Sequence, residues 1–123
     1  MDKKTILVVD DERSTLELID FVLRQHDYET ILVSKPEEAF QLSKDQPPDL
    51  IILDLLMPGI NGTDLCKQFK SNPMTQKIPI LFLSAVVRDT EVEKGFRAGA
   101  SGYIFKPFDS KQIVKRVGEL LSS

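Results

Sequence analysis

The sequence predicts an α/β protein with a doubly wound sheet of five parallel strands in the order 2-1-3-4-5. Two observations lead to this fold class. Short apolar runs alternate with amphipathic stretches, and five such strand–helix pairs follow one another along the chain. Most of the apolar runs are continuous, as in strands that are buried on both faces. Right-handed crossovers between parallel strands then leave few topologies, and this order is a common one.

The predicted strands are short runs rich in Ile, Leu, Val and aromatic residues. Pro79 precedes the fourth run, where a missing backbone N–H is tolerated. The second run is expected at the edge of the sheet, because only the first strand neighbours it in this order. The five runs are residues 6–9, 30–33, 50–53, 80–83 and 102–105.

The predicted helices show apolar residues at helical spacing together with start and stop residues at their ends. Ser14 is a candidate cap for the first helix, and Pro36 suits the start of the second. Gly99 is expected to end the fourth, and Asp109 or Ser110 to cap the fifth. The five helices are predicted over residues 14–26, 36–45, 62–71, 89–98 and 109–122.

Composition predicts one globular domain over residues 1–123. Hydrophobic residues make up 41% and charged residues 28% of the chain, which is typical of a folded protein. The net charge of −3 argues against a nucleic-acid surface. The single cysteine, Cys66, excludes an internal disulfide. The N-terminal apolar run is too short for a signal peptide or a membrane span, so we expect a cytoplasmic protein.

Polar residues follow four of the predicted strands, and in such sheets ligands bind at the carboxyl ends of the strands. Three carboxylates in one place repel one another, so a proton or a cation must relieve them. Oxygen ligands of this kind suit Mg²⁺. We expect five side chains to meet at this edge of the sheet: Asp10, Asp11, Asp54, Ser84 and Lys106.

This set fits phosphoryl transfer, which depends mainly on positioning and charge neutralisation. Asp54 could act as the nucleophile, with Lys106 and Ser84 contacting phosphoryl oxygens. Each residue also has a simpler interpretation. The acidic pair Asp10 and Asp11 could cap the first helix, Asp54 could form a turn, and the serine and lysine could be ordinary polar residues. All of them together at strand ends favour a site.

The chain resembles the response-regulator receiver domains of bacterial two-component signalling, and the resemblance covers essentially its whole length. A receiver has a flavodoxin-like fold of five βα units. The motifs are ILVVDDE from residue 6, DLIILDLLMPGING from residue 49, IPILFLSA from residue 78, GFRAGA from residue 95 and GYIFKPF from residue 102. Five motifs in order and at matching intervals make the match specific.

The resemblance implies roles for the acidic residues. Asp54 matches the phosphoacceptor. Asp10 and Asp11 match the pair that organises Mg²⁺, for which Mn²⁺ could substitute, and Asp11 is the more direct ligand. Asp54 and the backbone carbonyl of Leu56 complete the implied ligand set.

The resemblance also implies a two-state switch. Ser84 matches the switch hydroxyl and Lys106 the phosphate partner, while Tyr103 matches an aromatic side chain that moves inward. The bond between Lys106 and Pro107 is implied to be cis. The implied donor is a histidine kinase or a histidine phosphotransfer protein. The face formed by the fourth helix, fifth strand and fifth helix would then bind a downstream partner, and the resemblance allows a homodimer through that face.

Two alternatives compete with this interpretation. One is a protein-interaction module of the same fold that acts without phosphorylation. Such a module should have lost at least one of the five site residues, whereas all five are present here. The other is a Mg²⁺-dependent phosphatase, which needs a second acid two residues after the nucleophile, where this chain has Leu56. Because the last predicted helix ends beside Ser123, both a stand-alone receiver and one domain of a longer regulator fit the sequence.

The resemblance implies that the residues two positions after Asp54 and after Ser84 tune the lifetime of the phosphoryl group. These residues are Leu56 and Val86, and both are apolar. Neither can orient a water molecule by hydrogen bonding, so we expect slow hydrolysis.

Overall fold

The computed structural model describes residues 3–85 and 88–122, and it contains the predicted sheet. Five parallel strands pair in the order β2-β1-β3-β6-β7, in which β6 and β7 are the predicted fourth and fifth strands. The predicted fold class and strand order are therefore confirmed. The strands are β1 Thr5–Val9, β2 Glu29–Val33, β3 Leu50–Asp54, β4 Leu56–Met57, β5 Ile60–Asn61, β6 Ile80–Ser84 and β7 Gly102–Phe105.

Five helices cover the sheet at positions close to those predicted. The side of the sheet that packs on α1 and α5 carries one apolar cluster, and the side that packs on α2, α3 and α4 carries the other. Within the described ranges, no helix is both long and apolar enough to cross a membrane. The helices are α1 Arg13–Gln25, α2 Pro36–Asp45, α3 Gly62–Lys70, α4 Asp89–Ala98 and α5 Ser110–Leu121.

The central strands are buried on both faces because helices cover both sides of the sheet. All five residues of β3 and all five of β6 are buried. The parallel register sets Val9 opposite Leu53 and Asp54 opposite Leu83. The carboxyl ends of β1, β3 and β6 therefore lie side by side, and the residues that follow them share one edge.

A small antiparallel hairpin, which the predicted strands did not include, follows β3. Leu56 pairs with Asn61 and Met57 with Ile60 to form β4 and β5. The chain then turns back so closely that only glycine fits at position 62. A Cβ on Gly62 would lie 2.7 Å from the Asp54 carbonyl oxygen. The hairpin thus begins two residues after Asp54.

The ends of the helices agree with the sequence except at α1. Glu12 rather than Ser14 occupies the cap position of α1, and among the described residues no side chain caps that end by hydrogen bonding. Pro36 begins α2, and Gly99 ends α4 with a φ of 116°, as predicted. Asp109 caps α5 through the backbone N–H of Gln112.

Candidate functional site

The polar residues at the carboxyl ends of the central strands are buried rather than exposed. Asp10 and Ser84 have no exposed surface, and Asp54 is 4% exposed. An ionised carboxylate is costly to bury without partners. The buried acidic pair Asp10 and Asp54 therefore requires compensation from a cation or a proton.

The backbone places Lys106 above these residues. Its N–H donates to the carbonyl oxygen of Ser84 at 2.8 Å, which continues the pairing of β6 and β7 by one residue. The peptide bond between Lys106 and Pro107 is cis, the geometry that the resemblance implied.

The Lys106 ammonium lies among three carboxylates. Its Nζ atom is 3.3 Å from Asp54 Oδ2, 3.6 Å from Glu12 Oε1 and 3.7 Å from Asp10 Oδ2. The side chain of Lys106 is 22% exposed, so these attractions are screened less than on an open surface. In the contacts of the described residues, Asp10, Asp54 and Lys106 thus come together as expected at this edge, and Glu12 joins them.

The pKa of Asp10 is strongly raised. Burial raises its pKa from the ordinary value of 3.8 to about 7, and the neighbouring charge of Asp54 adds to that rise. The Glu12 backbone N–H, which donates to Asp10 Oδ1 at 2.9 Å, and the charge of Lys106 act in the opposite direction. The second oxygen, Oδ2, is buried and has no hydrogen-bond partner in the described part of the chain.

The pKa of Lys106 is shifted upward, which keeps its side chain charged. Burial alone would lower its pKa, but the charges of Asp10 and Asp54, a hydrogen bond to Asp54 and the charge of Glu12 together raise the pKa above its ordinary value. The site therefore retains a cation throughout the physiological range.

Asp54 is held by both of its carboxylate oxygens. Oδ2 accepts from Lys106 Nζ, and Oδ1 accepts from the backbone N–H of Leu56 at 3.3 Å. This N–H lies at the start of the hairpin that Gly62 allows to fold back. The turn after β3 thus orients the Asp54 carboxylate through a backbone group, while the Leu56 side chain is 58% exposed.

The acidic group fits a divalent cation. Asp10, Glu12 and Asp54 each offer a carboxylate oxygen, and these three atoms lie within 4.8 Å of one another. Asp10 Oδ2, which is buried without a hydrogen bond, is suited to a hard cation that prefers oxygen ligands. Asp11 is exposed and is not a member of this group. Sequence reasoning passed over Glu12, although it directly follows the two aspartates.

The two implied switch residues lie on adjacent strands. Ser84 ends β6, and the register sets it opposite Phe105 at the end of β7. Tyr103 is 5% exposed and packs on the apolar cluster shared with α4. Val86, the second residue expected to influence hydrolysis, lies outside the described residues.

Comparison with known proteins identifies relatives over nearly the whole chain. Residues 6–118 match the family described as "Response regulator receiver domain". The "DNA-binding response regulator MtrA" of Mycobacterium leprae (strain TN) is 36% identical over 115 residues, which is 94% of this chain and 50% of that protein. The "Alkaline phosphatase synthesis transcriptional regulatory protein PhoP" of Bacillus subtilis (strain 168) is 39% identical over 123 residues, covering 98% of this chain and 49% of that protein. The chain spans about half the length of the curated relatives it matches.

Solved structures share the same architecture. The chemotaxis response regulator CheY4 of Vibrio cholerae superposes with a TM-score of 0.92 at 26% identity, covering 98% of this chain and 100% of that one. The signal receiver domain of a signal transduction histidine kinase from Syntrophus aciditrophicus superposes with a TM-score of 0.88 at 32% identity, covering 97% of this chain and 90% of that one. These similarities extend over the sheet and all five helices.

Proposed function

Because the chain belongs to the family of response regulator receiver domains, the signalling modules of two-component systems, we propose that Asp54 accepts a phosphoryl group from a phosphohistidine. The observation that carries this proposal is the 3.3 Å contact between Asp54 Oδ2 and Lys106 Nζ in a pocket shared with Asp10. A nucleophile, a cation and a buried acid thus lie together where parallel sheets bind ligands.

The transfer is a displacement at phosphorus. An Asp54 carboxylate oxygen forms a bond to phosphorus while the phosphorus–nitrogen bond of the donor histidine breaks. The electron pair of that bond stays on the imidazole nitrogen, which is protonated from solvent. The product is an acyl phosphate on Asp54 and a neutral histidine on a histidine kinase or a histidine phosphotransfer protein.

The residues around Asp54 orient the carboxylate and neutralise incoming charge. The Leu56 N–H fixes one carboxylate oxygen, which leaves the other beside Lys106. Lys106 would exchange its contact with Asp54 for a phosphoryl oxygen, because the phosphoryl group brings more negative charge than the carboxylate it modifies. The Ser84 hydroxyl would contact a second phosphoryl oxygen.

A divalent cation would be held by Asp10 and Asp54 together with the Leu56 carbonyl and either Asp11 or Glu12. Mg²⁺, or Mn²⁺ in its place, would neutralise the phosphoryl oxygens. The short distances among the carboxylates of Asp10, Glu12 and Asp54 support this assignment. Among the described residues, Lys106 brings one positive charge to these three carboxylates, so negative charge remains for a further cation to balance.

Phosphorylation would change the surface of α4, β7 and α5 through Ser84 and Tyr103, and a downstream protein or effector domain would read that change. A partner responds only if it distinguishes the two states. The domain would thus act in the cytoplasm by protein contact, as a monomer or a homodimer, rather than by binding nucleic acid or a membrane itself. Its only catalysis would be of its own phosphorylation and dephosphorylation.

Intact-protein mass after incubation with acetyl phosphate tests the proposal. We expect one phosphoryl adduct that requires Mg²⁺ and is absent from Asp54→Asn. The exposed Asp64, in the first turn of α3, offers a matched control, and Asp64→Asn should retain the adduct. An adduct that persists in Asp54→Asn would mean that another residue is the nucleophile. If no adduct forms with acetyl phosphate or a phosphohistidine donor, the phosphorylation-independent module becomes the better description.

A second experiment distinguishes the candidate metal ligands. The Mg²⁺ concentration that gives half-maximal phosphorylation should be measured for Asp11→Asn and Glu12→Gln. The resemblance implies a large increase for Asp11→Asn, whereas the carboxylate geometry implies one for Glu12→Gln. The variant with the larger increase identifies the ligand.

A further inference from the structure

Tyr103 occupies a socket built from two strands and one helix. Its hydroxyl donates to the carbonyl oxygen of Val92 in α4 at 3.1 Å. Its ring lies 5.4 Å from Phe82, directly opposite on β6, and 5.2 Å from Phe96 on α4. Phe105 stacks on the ring at 5.6 Å with an interplanar angle of 14°. The tyrosine is thus held from several directions, and it reaches the backbone of α4.

This position of the tyrosine depends on a missing side chain. Gly95 lies on α4 beneath the ring, and a Cβ there would lie 2.8 Å from Tyr103 Cζ and closer still to the hydroxyl oxygen. It would also lie 3.3 Å from Phe82 Cε2. Carbon atoms that are not bonded do not approach to 2.8 Å without a large repulsion. The inward Tyr103 and any side chain at position 95 therefore exclude one another.

Tyr103 would move in such a conflict, and Phe82 would not. Phe82 has no exposed surface and is fixed in a buried strand. The colliding atoms of Tyr103 lie at the far end of its side chain, which can rotate out of the socket. The helix itself favours the substitution, because alanine stabilises a helix interior more than glycine does.

We propose that Gly95 is the positioning residue for Tyr103, because its missing side chain leaves the space that the inward tyrosine occupies. A methyl group at position 95 would hold Tyr103 outward whether or not Asp54 is phosphorylated. This inference rests on the proposed function in one respect, namely that movement of Tyr103 transmits the phosphorylation of Asp54. The packing part of the inference stands on the contacts of Gly95 alone.

Tyrosine fluorescence tests the packing part. The chain has two tyrosines and no tryptophan, so a Tyr28→Phe background leaves Tyr103 as the single emitter. In that background, Gly95→Ala should raise acrylamide quenching severalfold, toward the value of N-acetyltyrosinamide. Gly118→Ala is the matched control, because a Cβ on this helical glycine would meet no described atom within 4 Å. Equal quenching in wild type, Gly95→Ala and Gly118→Ala would overturn the inference.

A stability cycle keeps the inference testable if Gly95→Ala folds poorly. Gly95→Ala should lower the urea midpoint when Tyr103 is present and raise it in the Tyr103→Ala background, because the collision is gone and the helix gains. Two residues in contact show such coupling, whereas independent residues add. The same shift in both backgrounds would overturn the inference.

Phosphorylation experiments distinguish the packing role of Gly95 from the link between Tyr103 movement and signalling. Mass after acetyl phosphate treatment shows whether Asp54 is modified, and Gly95→Ala should be modified as wild type is. Because phosphorylation is expected to favour the inward side chain, quenching of Tyr103 should fall in wild type toward its fully buried limit and stay constant in Gly95→Ala. A wild type that is phosphorylated without any change in quenching would overturn the link to signalling. A wild type that is never phosphorylated would refute the proposed function, while quenching would still decide the role of Gly95.

Discussion

Two half-buried lysines in this molecule have opposite surroundings. Lys106 lies among three carboxylates at the edge of the sheet. Lys70, at the end of α3, donates instead to the carbonyl oxygens of Gln76 at 3.2 Å and Ile78 at 2.7 Å. Both ammonium groups are satisfied, but only the first faces opposite charge.

The pKa values of the two lysines diverge for this reason. Burial lowers the pKa of Lys70, and the weak opposing effect of Cys66 does not compensate. For Lys106, burial acts in the same direction, but the carboxylates outweigh it and raise the pKa. Through its two carbonyl partners, Lys70 fastens the loop between α3 and β6 to the end of α3. Carboxylates make Lys106 a counter-ion that an incoming anion can engage.

The largest expected effect is on the pH dependence of stability, because among the described carboxyl groups Asp10, beside Lys106, has a pKa raised to about 7. Burial raises the pKa of Asp10 from 3.8 to about 7, so the folded protein keeps a proton over this range that the unfolded chain releases. Without Mg²⁺, the free energy of unfolding should therefore fall by about 4 kcal/mol as the pH rises from about 4 to 7. Urea unfolding at a series of pH values measures this.

Two controls identify the source of that slope. Asp10→Asn should remove most of it, and Mg²⁺ at pH 8 should restore stability to the wild type by binding the folded state. Lys70→Met should lower the whole curve without changing its shape, because its carbonyl partners do not titrate. A wild-type stability that rises from pH 4 to 7 would contradict the assignment of Asp10.

The second prediction compares the same substitution at both lysines. Lys106→Met should slow phosphorylation by acetyl phosphate about 10²-fold, because it removes the protein cation beside the transferred group. Lys70→Met makes the same chemical change away from the site and should leave the rate within about twofold of wild type. Mass spectra over time give both rates. Equal slowing in both variants would show that general destabilisation, rather than charge, is responsible.

The third prediction concerns the two hydrogen bonds from Lys70 to the loop between α3 and β6. Lys70→Met should lower the free energy of unfolding by about 1–2 kcal/mol, because it leaves two carbonyl oxygens without their donor. The loop should open locally as well, since the contact of Thr75 Oγ1 with the Phe69 carbonyl at 2.6 Å then holds it with less support. Hydrogen exchange of the backbone amides of residues 71–78 should accelerate. Unchanged exchange would refute the idea that Lys70 holds this loop in place.

The smallest expected effect concerns the solvent side of the carboxylate pocket. Leu56 contributes its backbone N–H to Asp54 and leaves its side chain 58% exposed. Leu56→Asn places an amide there that can orient water toward a phosphoryl group, so the lifetime of the adduct should shorten a few-fold. Decay of the phosphorylated mass after removal of the donor measures this, with Met74→Asn as a control at an exposed apolar residue away from the site. An unchanged lifetime would contradict the hypothesis.

Much of the site could be predicted because a parallel sheet aligns the ends of its strands. Asp10 and Asp54 each end or follow a continuous apolar run, and such runs are recognisable locally. Once the strand order is fixed, these ends must lie together, and Lys106 must lie near them because it follows β7. The contact between Asp54 and Lys106 thus follows from topology, although 52 residues separate them.

Other features depended on distances that no local pattern encodes. Glu12 is exposed and adjacent to two stronger candidates, so only the position of Lys106 reveals its contact. The expected cap at Ser14 was wrong because α1 begins earlier, directly after the residues that turn toward the site. The hairpin after β3 is too short for a recognisable strand pattern.

The sequence by itself determined the fold class and the residues that end each strand, because hydrophobic periodicity and chain direction act locally and are written in the order of residues. It also left few strand orders, because crossovers between parallel strands are right-handed, and the predicted order was one of these. The tertiary structure decided which acids share the cation, how far the pKa of Asp10 rises, and that Gly95 makes room for Tyr103. Each of these depends on contacts between strands and helices that are distant in sequence. Their energies change within a few tenths of an ångström, because packing and electrostatics inside a protein are steep functions of distance.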